Sequence, residues 1–379
     1  MTYDPVLGQL NNVHAGDTAL IEPARTGTQD DLPGAIVGPP RHDGGLGRTW
    51  MRWAAFLVAL AALVLAMLAS VAFGSKPMSF GTVIDALFSF DHRSNDHLIV
   101  RSLRVPRTLI GIGVGAALGL AGAVMQGVTR NPLADPGILG IESGAGLGVV
   151  LAIHQFGVGS AGGYVWFAFA GAALASVTVY ALGSAGGGGA TPVKLALAGA
   201  ALTAMLSSVT SAILLMDVTA LDQFRFWSVG SLAGRDGDIL RQVLPYLVVG
   251  MVLALAGARM LNTLALGDDV ARSLGARVKL GRAVASLAVI LLCGAATAAA
   301  GPIGFVGLTV PHVARSICGP DYRRILPWSL VLGPTLLLGA DVLGRVVARP
   351  GELQVGIVTA VVGTPFFVAL VRRRRLVSL

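Results

Sequence analysis

The side chains that could perform chemistry in this chain are few and widely spaced. His312 stands in the sequence Pro-His-Val-Ala-Arg, and no second histidine, cysteine or carboxylate lies at the spacing of a metal site. Cys293 and Cys318 lie in or beside apolar runs, which indicates packing residues rather than a disulfide or a metal pair. No nucleophile stands beside a base, and the sequence contains no GxxxxGK[ST] phosphate loop. The sequence therefore predicts no metal site, no catalysis and no nucleotide binding by this chain.

Charged residues inside the apolar part of the chain are also rare. The exceptions are Glu142, Asp341 and Arg345. A charge at the centre of a membrane helix costs about 2.5–3.5 kcal/mol on insertion scales. Because Asp341 and Arg345 are four residues apart, we expect them to form an ion pair on one helix. The chain lacks the series of intramembrane acids that an ion-driven carrier usually needs, which argues against a secondary transporter.

The composition is that of a membrane protein. Hydrophobic residues make up 54% of the chain and charged residues 13%, and the mean hydropathy is +0.74. A soluble domain carries about 25% charged residues. The chain has 51 glycines among 379 residues, and small residues allow close approach of membrane helices. We therefore expect a tightly packed helical bundle solvated by lipid.

Ten apolar runs predict an all-α polytopic protein of the cell membrane with about ten transmembrane helices. A run of 22 residues forms a helix of about 33 Å, enough for a hydrocarbon core of about 30 Å. Gly301-Pro302 interrupts the pattern, and the run that follows it is short. The predicted spans are about 52–73, 107–126, 138–155, 164–183, 195–216, 239–260, 280–300, 303–318, 325–344 and 354–371.

The placement of Lys and Arg predicts the orientation. With the N-terminus inside, 16 basic residues lie at cytoplasmic ends and 10 at outer ends, which favours N-in and C-in. Residues 1–50 contain six acidic and three basic residues and no apolar period. We interpret them as a disordered cytoplasmic tail, followed by a membrane domain over 51–379.

A polar island over 261–279 separates two spans, and the predicted orientation places it in the cytoplasm. Gly267 and Asp268 can begin a short helix, and Gly275 can end it. Three apolar residues fall on one face of that helix: Val270, Ala271 and Leu274. These residues alone leave two interpretations open, a capped loop helix packed on its own protein and a docking element for a cytoplasmic partner.

Short motifs occur in a fixed order along the chain. They are 103–109 (LRVPRTL), 122–126 (GAVMQ), 131–134 (NPLA), 136–140 (PGILG), 264–267 (LALG) with Ala271 and 274–275 (LG), 301–308 (GPIGFVGL), 311–315 (PHVAR), 340–341 (AD), 352–353 (EL), 356–359 (GIVT) and 363–366 (GTPF). Together they resemble the motifs of FecCD-type permeases, the membrane subunits of iron–siderophore and vitamin B12 ABC importers. The resemblance covers about residues 52–375 and leaves out the N-terminal tail.

The resemblance implies a function and a set of partners. It implies a ten-helix permease subunit that pairs with itself or a related subunit, and two cytoplasmic ATPase subunits that use ATP and Mg²⁺. A soluble extracytoplasmic binding protein would deliver the substrate, and this chain would bind no cofactor and catalyse no reaction. The expected cargo is an iron(III)–siderophore complex, with haem or cobalamin as alternatives. A secondary transporter driven by an ion gradient is the remaining alternative.

The resemblance also assigns residues to roles. The ATPase-coupling residues would be Leu264, Leu266, Gly267, Asp268, Val270, Ala271, Leu274 and Gly275. The binding-protein docking residues would be Arg104, Arg107 and Arg345, for which arginines extending to lipid headgroups are the alternative. The gate residues would be Thr191, Pro192 and Val193, where Pro-Val departs from the small hydroxyl residues of the family. Trp227 would line the pore entrance or, alternatively, anchor the chain at the membrane interface.

Overall fold

The fold was analysed in a computed structural model, which describes residues 45–185 and 191–372. Residues 1–44 of the predicted tail lie outside this range, so the disorder of the tail stays a prediction. Regular structure in the described residues is entirely helical. The α-helices are α1 (Gly45–Ala72), α2 (Phe80–Phe88), α3 (Asn95–Leu98), α4 (Val105–Thr129), α5 (Ile141–Phe156), α6 (Ala161–Ser184), α7 (Pro192–Met216), α8 (Val218–Ser228), α9 (Gly237–Ala256), α10 (Ala258–Ala265), α11 (Asp268–Ser273), α12 (Val278–Ala300), α13 (Val306–Cys318), α14 (Tyr322–Val347) and α15 (Val355–Arg372).

Each of the ten predicted spans corresponds to one helix, which confirms the all-α fold. The ten helices are α1, α4, α5, α6, α7, α9, α12, α13, α14 and α15. In the described part of the chain, seven helices are long and apolar enough to cross a membrane. The helices α5 and α15 are shorter apolar helices, and α13 has only 13 residues. The N-in orientation stays a prediction.

The centre of the bundle is α4. The apolar window of this helix is 83% buried within the protein, whereas the corresponding windows are 11% buried in α1 and 17% in α7. Close approach is possible because glycines replace side chains where α4 meets its neighbours. A Cβ at Gly115 would lie 2.6 Å from the Cα of Pro334 in α14, and a Cβ at Gly122 would overlap the carbonyl oxygen of Gly307 in α13. The helices α4, α13 and α14 therefore pack backbone against backbone.

The short helix α13 begins in the interior of the bundle. Gly301 has φ +76° and Phe305 has φ +68°, so the chain breaks its helical path between α12 and α13. The first residues of α13 then pack beside Gly122, near the middle of α4. This interior start explains why the eighth apolar run is shorter than a full membrane span.

Candidate functional site

The two predicted interaction sites lie at opposite ends of α4. Arg107 stands in the first turn of this helix, and Arg130 follows its last residue and reaches Asp268 with an Nη2–Oδ1 distance of 3.7 Å. A helix of 25 residues is about 37 Å long. The predicted docking arginines are therefore separated from the predicted coupling residues 264–275, called the coupling segment below, by about the thickness of a membrane.

A buried carboxylate organises the arginine end. Asp341 has no exposed surface, and its Oδ1 accepts a hydrogen bond from Arg107 Nη2 at 2.7 Å. The Nε of Arg107 donates to Oδ2 at 3.1 Å, so the guanidinium binds the carboxylate in a bidentate manner. Arg345 Nη2 lies 2.9 Å from the same Oδ2, which confirms the ion pair predicted from the four-residue spacing.

Arg104 and Arg345 also hold the end of α1. The Nη1 of Arg345 donates to the carbonyl oxygens of Ser70 at 3.0 Å and Phe73 at 2.9 Å. The Nη1 of Arg104 donates to Ala72 O at 2.6 Å, and its Nη2 donates to Lys76 O at 2.6 Å. The last carbonyls of a helix have no partner within the helix and carry partial negative charge. The two guanidinium groups satisfy those carbonyls.

Glu352 is the second carboxylate of the buried cluster formed by Arg107, Asp341 and Arg345. Its Oε2 accepts a hydrogen bond from Arg107 Nη1 at 2.7 Å, and its side chain is 29% exposed. Burial acts to raise the pKa of Glu352, but the hydrogen bond and charge of Arg107 outweigh burial and keep this pKa below its ordinary value. Sequence reasoning used Glu352 in no site. The signal that could have found it is Arg107 itself, since a buried arginine needs carboxylate partners.

The three predicted docking arginines are buried within the protein. Arg104, Arg107 and Arg345 are 5%, 9% and 1% exposed. Their guanidinium groups contact protein atoms, so the alternative in which they extend to lipid headgroups is wrong. They line a cavity of about 320 Å³ together with Lys76, Arg235 and Glu352. The cavity is basic, because five of these six side chains are cationic.

The coupling segment has the geometry that its glycines predict. Gly267 and Gly275 have φ values of +100° and +79°, and they bracket α11. Such values are rare for residues with a side chain. Leu264 and Ala271 are buried and pack with Val278.

The exposed apolar face of this segment differs by one residue from the predicted face. Leu266, Val270 and Leu274 are 60%, 47% and 65% exposed, whereas Ala271 is fully buried. The predicted face of Val270, Ala271 and Leu274 is therefore wrong at Ala271. The physical reason is that Ala271 packs against Leu264 and Val278, whereas Leu266, Val270 and Leu274 remain exposed. We call these three residues the coupling row.

Asp268 anchors the coupling segment to two long helices. Its Oδ1 accepts a hydrogen bond from Arg282 Nη2 of α12 at 2.8 Å and lies near Arg130 at the end of α4. Arg272 of the same short helix lies 3.8 Å from the other oxygen. Sequence reasoning missed Arg130 and Arg282 as partners of this segment. A displacement of α11 would reach α4 and α12 through these contacts.

The predicted gate residues lie at the start of α7. Thr191 precedes this helix, and its Oγ1 accepts a hydrogen bond from Lys194 N at 3.3 Å. Pro192 is the first helical residue, where a missing N–H costs nothing. Val193 is 68% exposed and is therefore free to face a partner or a pore. Residues 186–190, just before the gate, lie outside the described residues.

Trp227 lies inside the protein, away from the gate. It is 3% exposed, and its ring centroid is 5.6 Å from that of Phe224. An interfacial anchor would expose its ring to headgroups, so that alternative is wrong for Trp227. The neighbouring Phe226 is 59% exposed. Any aromatic contact that this segment offers to a pore comes from Phe226, so the predicted pore-lining role of Trp227 is also wrong.

Comparison with known proteins identifies the family. The model of the FecCD transport family matches residues 61–373. The chain belongs to the FecCD transport family. It is a multi-pass membrane permease subunit of an ABC transporter and not an enzyme. Such a permease works with ATPase subunits and with a second permease subunit.

Curated relatives of this family are similar over nearly the whole membrane domain. The ferric enterobactin transport system permease protein FepD of Escherichia coli is 47% identical over 312 residues, which cover 82% of this chain and 93% of FepD. The Fe(3+)-citrate import system permease protein YfmD of Bacillus subtilis is 43% identical over 328 residues, covering 86% and 97% of the two chains.

A solved structure shares the fold. It is an inward-facing ABC transporter assigned to the metal-chelate type, with a TM-score of 0.72 and 27% sequence identity. The match covers 86% of this chain and 99% of that chain.

Replacement of Asp341 by Asn tests the role of the buried carboxylate. Asp341→Asn leaves Arg107 and Arg345 without their shared counter-charge, and loss of one partner of a buried ion pair costs about 3–5 kcal/mol. We expect a fall of that size in the unfolding free energy of the detergent-solubilised protein. Glu352→Gln should have a smaller effect, because Glu352 is partly exposed.

Asp238→Asn is the matched control for this experiment. Asp238 also pairs with an arginine, but its side chain is 76% exposed, and exposed pairs contribute about 0–1 kcal/mol. Equal unfolding free energies for Asp341→Asn and Asp238→Asn would rule out a central role for the buried cluster.

Proposed function

We propose that this chain is the permease subunit of an ATP-driven importer for an iron(III)–siderophore complex. The observation that carries the proposal is the exposed coupling row on a segment fastened to the two helices α4 and α12. An apolar row outside the lipid-facing surface favours burial against a protein partner. Iron chelates are the cargo in the names of the relatives FepD and YfmD. Cobalamin is the alternative cargo, since a cobalamin import permease of Halobacterium salinarum is also related.

The partner at the coupling row would be an ATPase subunit. In this proposal the ATPase subunits bind ATP and Mg²⁺, and this chain binds neither. ATP-driven closure of the ATPase pair would shift α11, and Asp268 would transmit the shift to Arg130 and Arg282. Ligand-driven rearrangements of this kind move packed elements as units between discrete states.

A second permease subunit would complete the pore. The helix α7 supports this part of the proposal, because its apolar window is 17% buried within one chain. Thr191 and Val193 stand at the start of the same helix. We place the cytoplasmic gate there, with α7 facing the second subunit.

The basic cavity would receive an acidic side chain of an extracytoplasmic binding protein. Complementary charge accelerates association and fixes its orientation. Asp341 and Glu352 balance the charges of Arg107 and Arg345, so these residues would supply a fixed rim. The positive potential would come from Arg104 and Arg235, which have no carboxylate partner among the described residues. Lys76 is more exposed, with 54% of its side chain accessible, and an incoming acidic side chain would replace Asp96 as its ion-pair partner.

Transport assays in reconstituted proteoliposomes test the cargo and the energy source. The proteoliposomes also contain the ATPase and binding-protein partners. We expect them to accumulate a radiolabelled iron(III)–siderophore complex only when ATP is present on the side of the membrane that carries the ATPase subunits. Accumulation driven by a proton or sodium gradient without ATPase subunits would contradict the ABC proposal. Uptake of labelled cobalamin without iron uptake would contradict the iron(III)–siderophore cargo but would still support ATP-driven import.

Substitution in the coupling row tests ATPase docking. Burial of a leucine side chain contributes about 1.5–3 kcal/mol, so Leu274→Asp should weaken binding of the ATPase subunits at least about tenfold. Substrate uptake should fall accordingly, while the fold persists because Leu274 is exposed. Ser273→Asp is the control, since it adds the same charge at an exposed neighbour outside the row. Full ATP-coupled uptake by Leu274→Asp would remove the row from the interface.

Charge changes around the basic cavity test docking of the binding protein. Lys76→Glu reverses a charge at the cavity mouth without touching Asp341, and Arg104→Gln removes one of the buried charges. Both should slow association by about tenfold at low salt, as rim charges act mainly on the association rate. Arg241→Glu is the control, because this side chain is 83% exposed and lies outside the cavity.

The unfolding midpoint of each docking variant separates docking from folding. If Lys76→Glu and Arg104→Gln associate as fast as Arg241→Glu, the cavity has no part in docking. If Arg104→Gln only lowers the unfolding midpoint, this arginine serves the fold alone.

A further inference from the structure

A second cavity lies between the start of α1 and the start of α14. Its volume is about 410 Å³, which is within the usual range for ligand pockets of about 300–1,000 Å³. One wall consists of Arg52, Trp53 and Phe56 of α1. The other residues of the lining are Cys318, Arg323, Arg324, Pro327 and Trp328. The transport mechanism proposed above uses none of these residues.

The lining combines three arginines with three aromatic rings and no carboxylate. The rings form a continuous series, because Phe56 lies 6.4 Å from Trp53 and 5.3 Å from Trp328 between centroids, both edge-on. Arg52, Arg323 and Arg324 form no ion pair with any carboxylate among the described residues.

Asp321 is near enough to Arg323 and Arg324 for their positive charges to act to lower its pKa. It is already engaged by Asn262 Nδ2 at 2.6 Å and by the backbone N–H of Arg323 at 2.9 Å. Three guanidinium groups against this one carboxylate leave a net positive charge at the cavity, which favours an external anion.

We expect the three arginines to stand at the depth of the lipid headgroups. Arg52 directly precedes the apolar run that α1 inserts into the membrane, and Arg323 and Arg324 directly precede the apolar run of α14. Trp53 directly follows Arg52, in a position typical of the membrane–water interface, whereas Trp328 is buried and forms the inner wall of the cavity. Trp53 is 63% exposed, and the apolar window of α1 is only 11% buried by protein. The cavity thus opens toward lipid.

We propose that this cavity binds an anionic phospholipid. The guanidinium groups of Arg52, Arg323 and Arg324 would contact the phosphate of the headgroup. An acyl chain would pass over Trp53 and Phe56 and continue along the exposed face of α1. Basic pockets between membrane helices bind lipid headgroups in this manner. A soluble anion would use the arginines but would leave the aromatic surface uncovered.

Native mass spectrometry of the full-length protein tests the proposal. The protein in mild detergent is offered phosphatidylglycerol and phosphatidylethanolamine in equal amounts. We expect one phosphatidylglycerol to bind preferentially. The variant Arg52→Gln, Arg323→Gln, Arg324→Gln should lose about fivefold in affinity per arginine, roughly 100-fold in all. The charge-conserving variant Arg323→Lys, Arg324→Lys should keep most of the affinity.

Two controls separate this site from general effects. Arg277→Gln with Lys279→Gln removes two exposed cations outside the cavity and should leave phosphatidylglycerol binding unchanged. Phosphatidylglycerol should also raise the unfolding midpoint of the wild-type protein, whereas inorganic phosphate at the same ionic strength should not. Equal stabilisation by inorganic phosphate would overturn the lipid assignment.

Two further outcomes would also overturn it. One is retention of phosphatidylglycerol by the triple glutamine variant at the wild-type level, in protein whose unfolding midpoint shows that it is folded. The other is occupation of the cavity by the acidic residues of 1–44. Carbodiimide cross-links from Arg323→Lys to those acids, with no lipid bound, would show that occupation.

Discussion

The arginine end of this permease depends on the buried carboxylate of Asp341. It joins Arg107 of α4 to Arg345 of α14, and Arg345 in turn satisfies the last carbonyls of α1. With Glu352 on the opposite side of Arg107, two positive and two negative charges balance. A buried charge is tolerated when it is paired and hydrogen-bonded. Three helices and the segment before α15 are thereby fixed relative to one another at one end of the bundle.

Contact between glycines supplies the second constraint, along the length of the bundle. Where Gly115 meets Pro334 and Gly122 meets Gly307, the helices approach to backbone contact. Interiors packed this closely do not deform continuously, and a larger side chain there forces the backbones apart. The block of α4, α13 and α14 is therefore rigid. The surfaces that remain exposed for partners are peripheral, on α1, α7 and the coupling row.

Features that depend on local pattern could be predicted from the sequence. Ten apolar runs gave ten helices, since a membrane span needs about 20 apolar residues. The break at Gly301-Pro302 indicated the short α13, and the spacing of Asp341 and Arg345 indicated their ion pair. Gly267 and Gly275 marked the ends of α11.

Features that depend on contacts distant in the sequence could not be predicted. The pairing of Arg107 with Asp341 joins residues 234 positions apart, and no local pattern specifies it. The burial of Ala271 in α11 follows from its contact with Leu264 of α10 and Val278 of α12. The burial of Trp227 depends on how α8 packs on α5. The sequence alone does not determine whether an aromatic or small residue near a helix end is buried or exposed, because the neighbouring helices decide it.

The distance between Arg107 and Asp341 along the chain has a consequence for biosynthesis. The helix α4 leaves the ribosome long before α14 exists, so Arg107 enters the membrane without its carboxylate. An unpaired arginine within a bilayer costs about 2.5–3.5 kcal/mol on insertion scales and stays near the headgroups where it can. We therefore expect the start of α4 to stay near the membrane surface until α14 has been translated. Arrival of α14 would then complete the cluster, so a chain truncated before α14 would keep an arginine without its carboxylate at this end of the bundle.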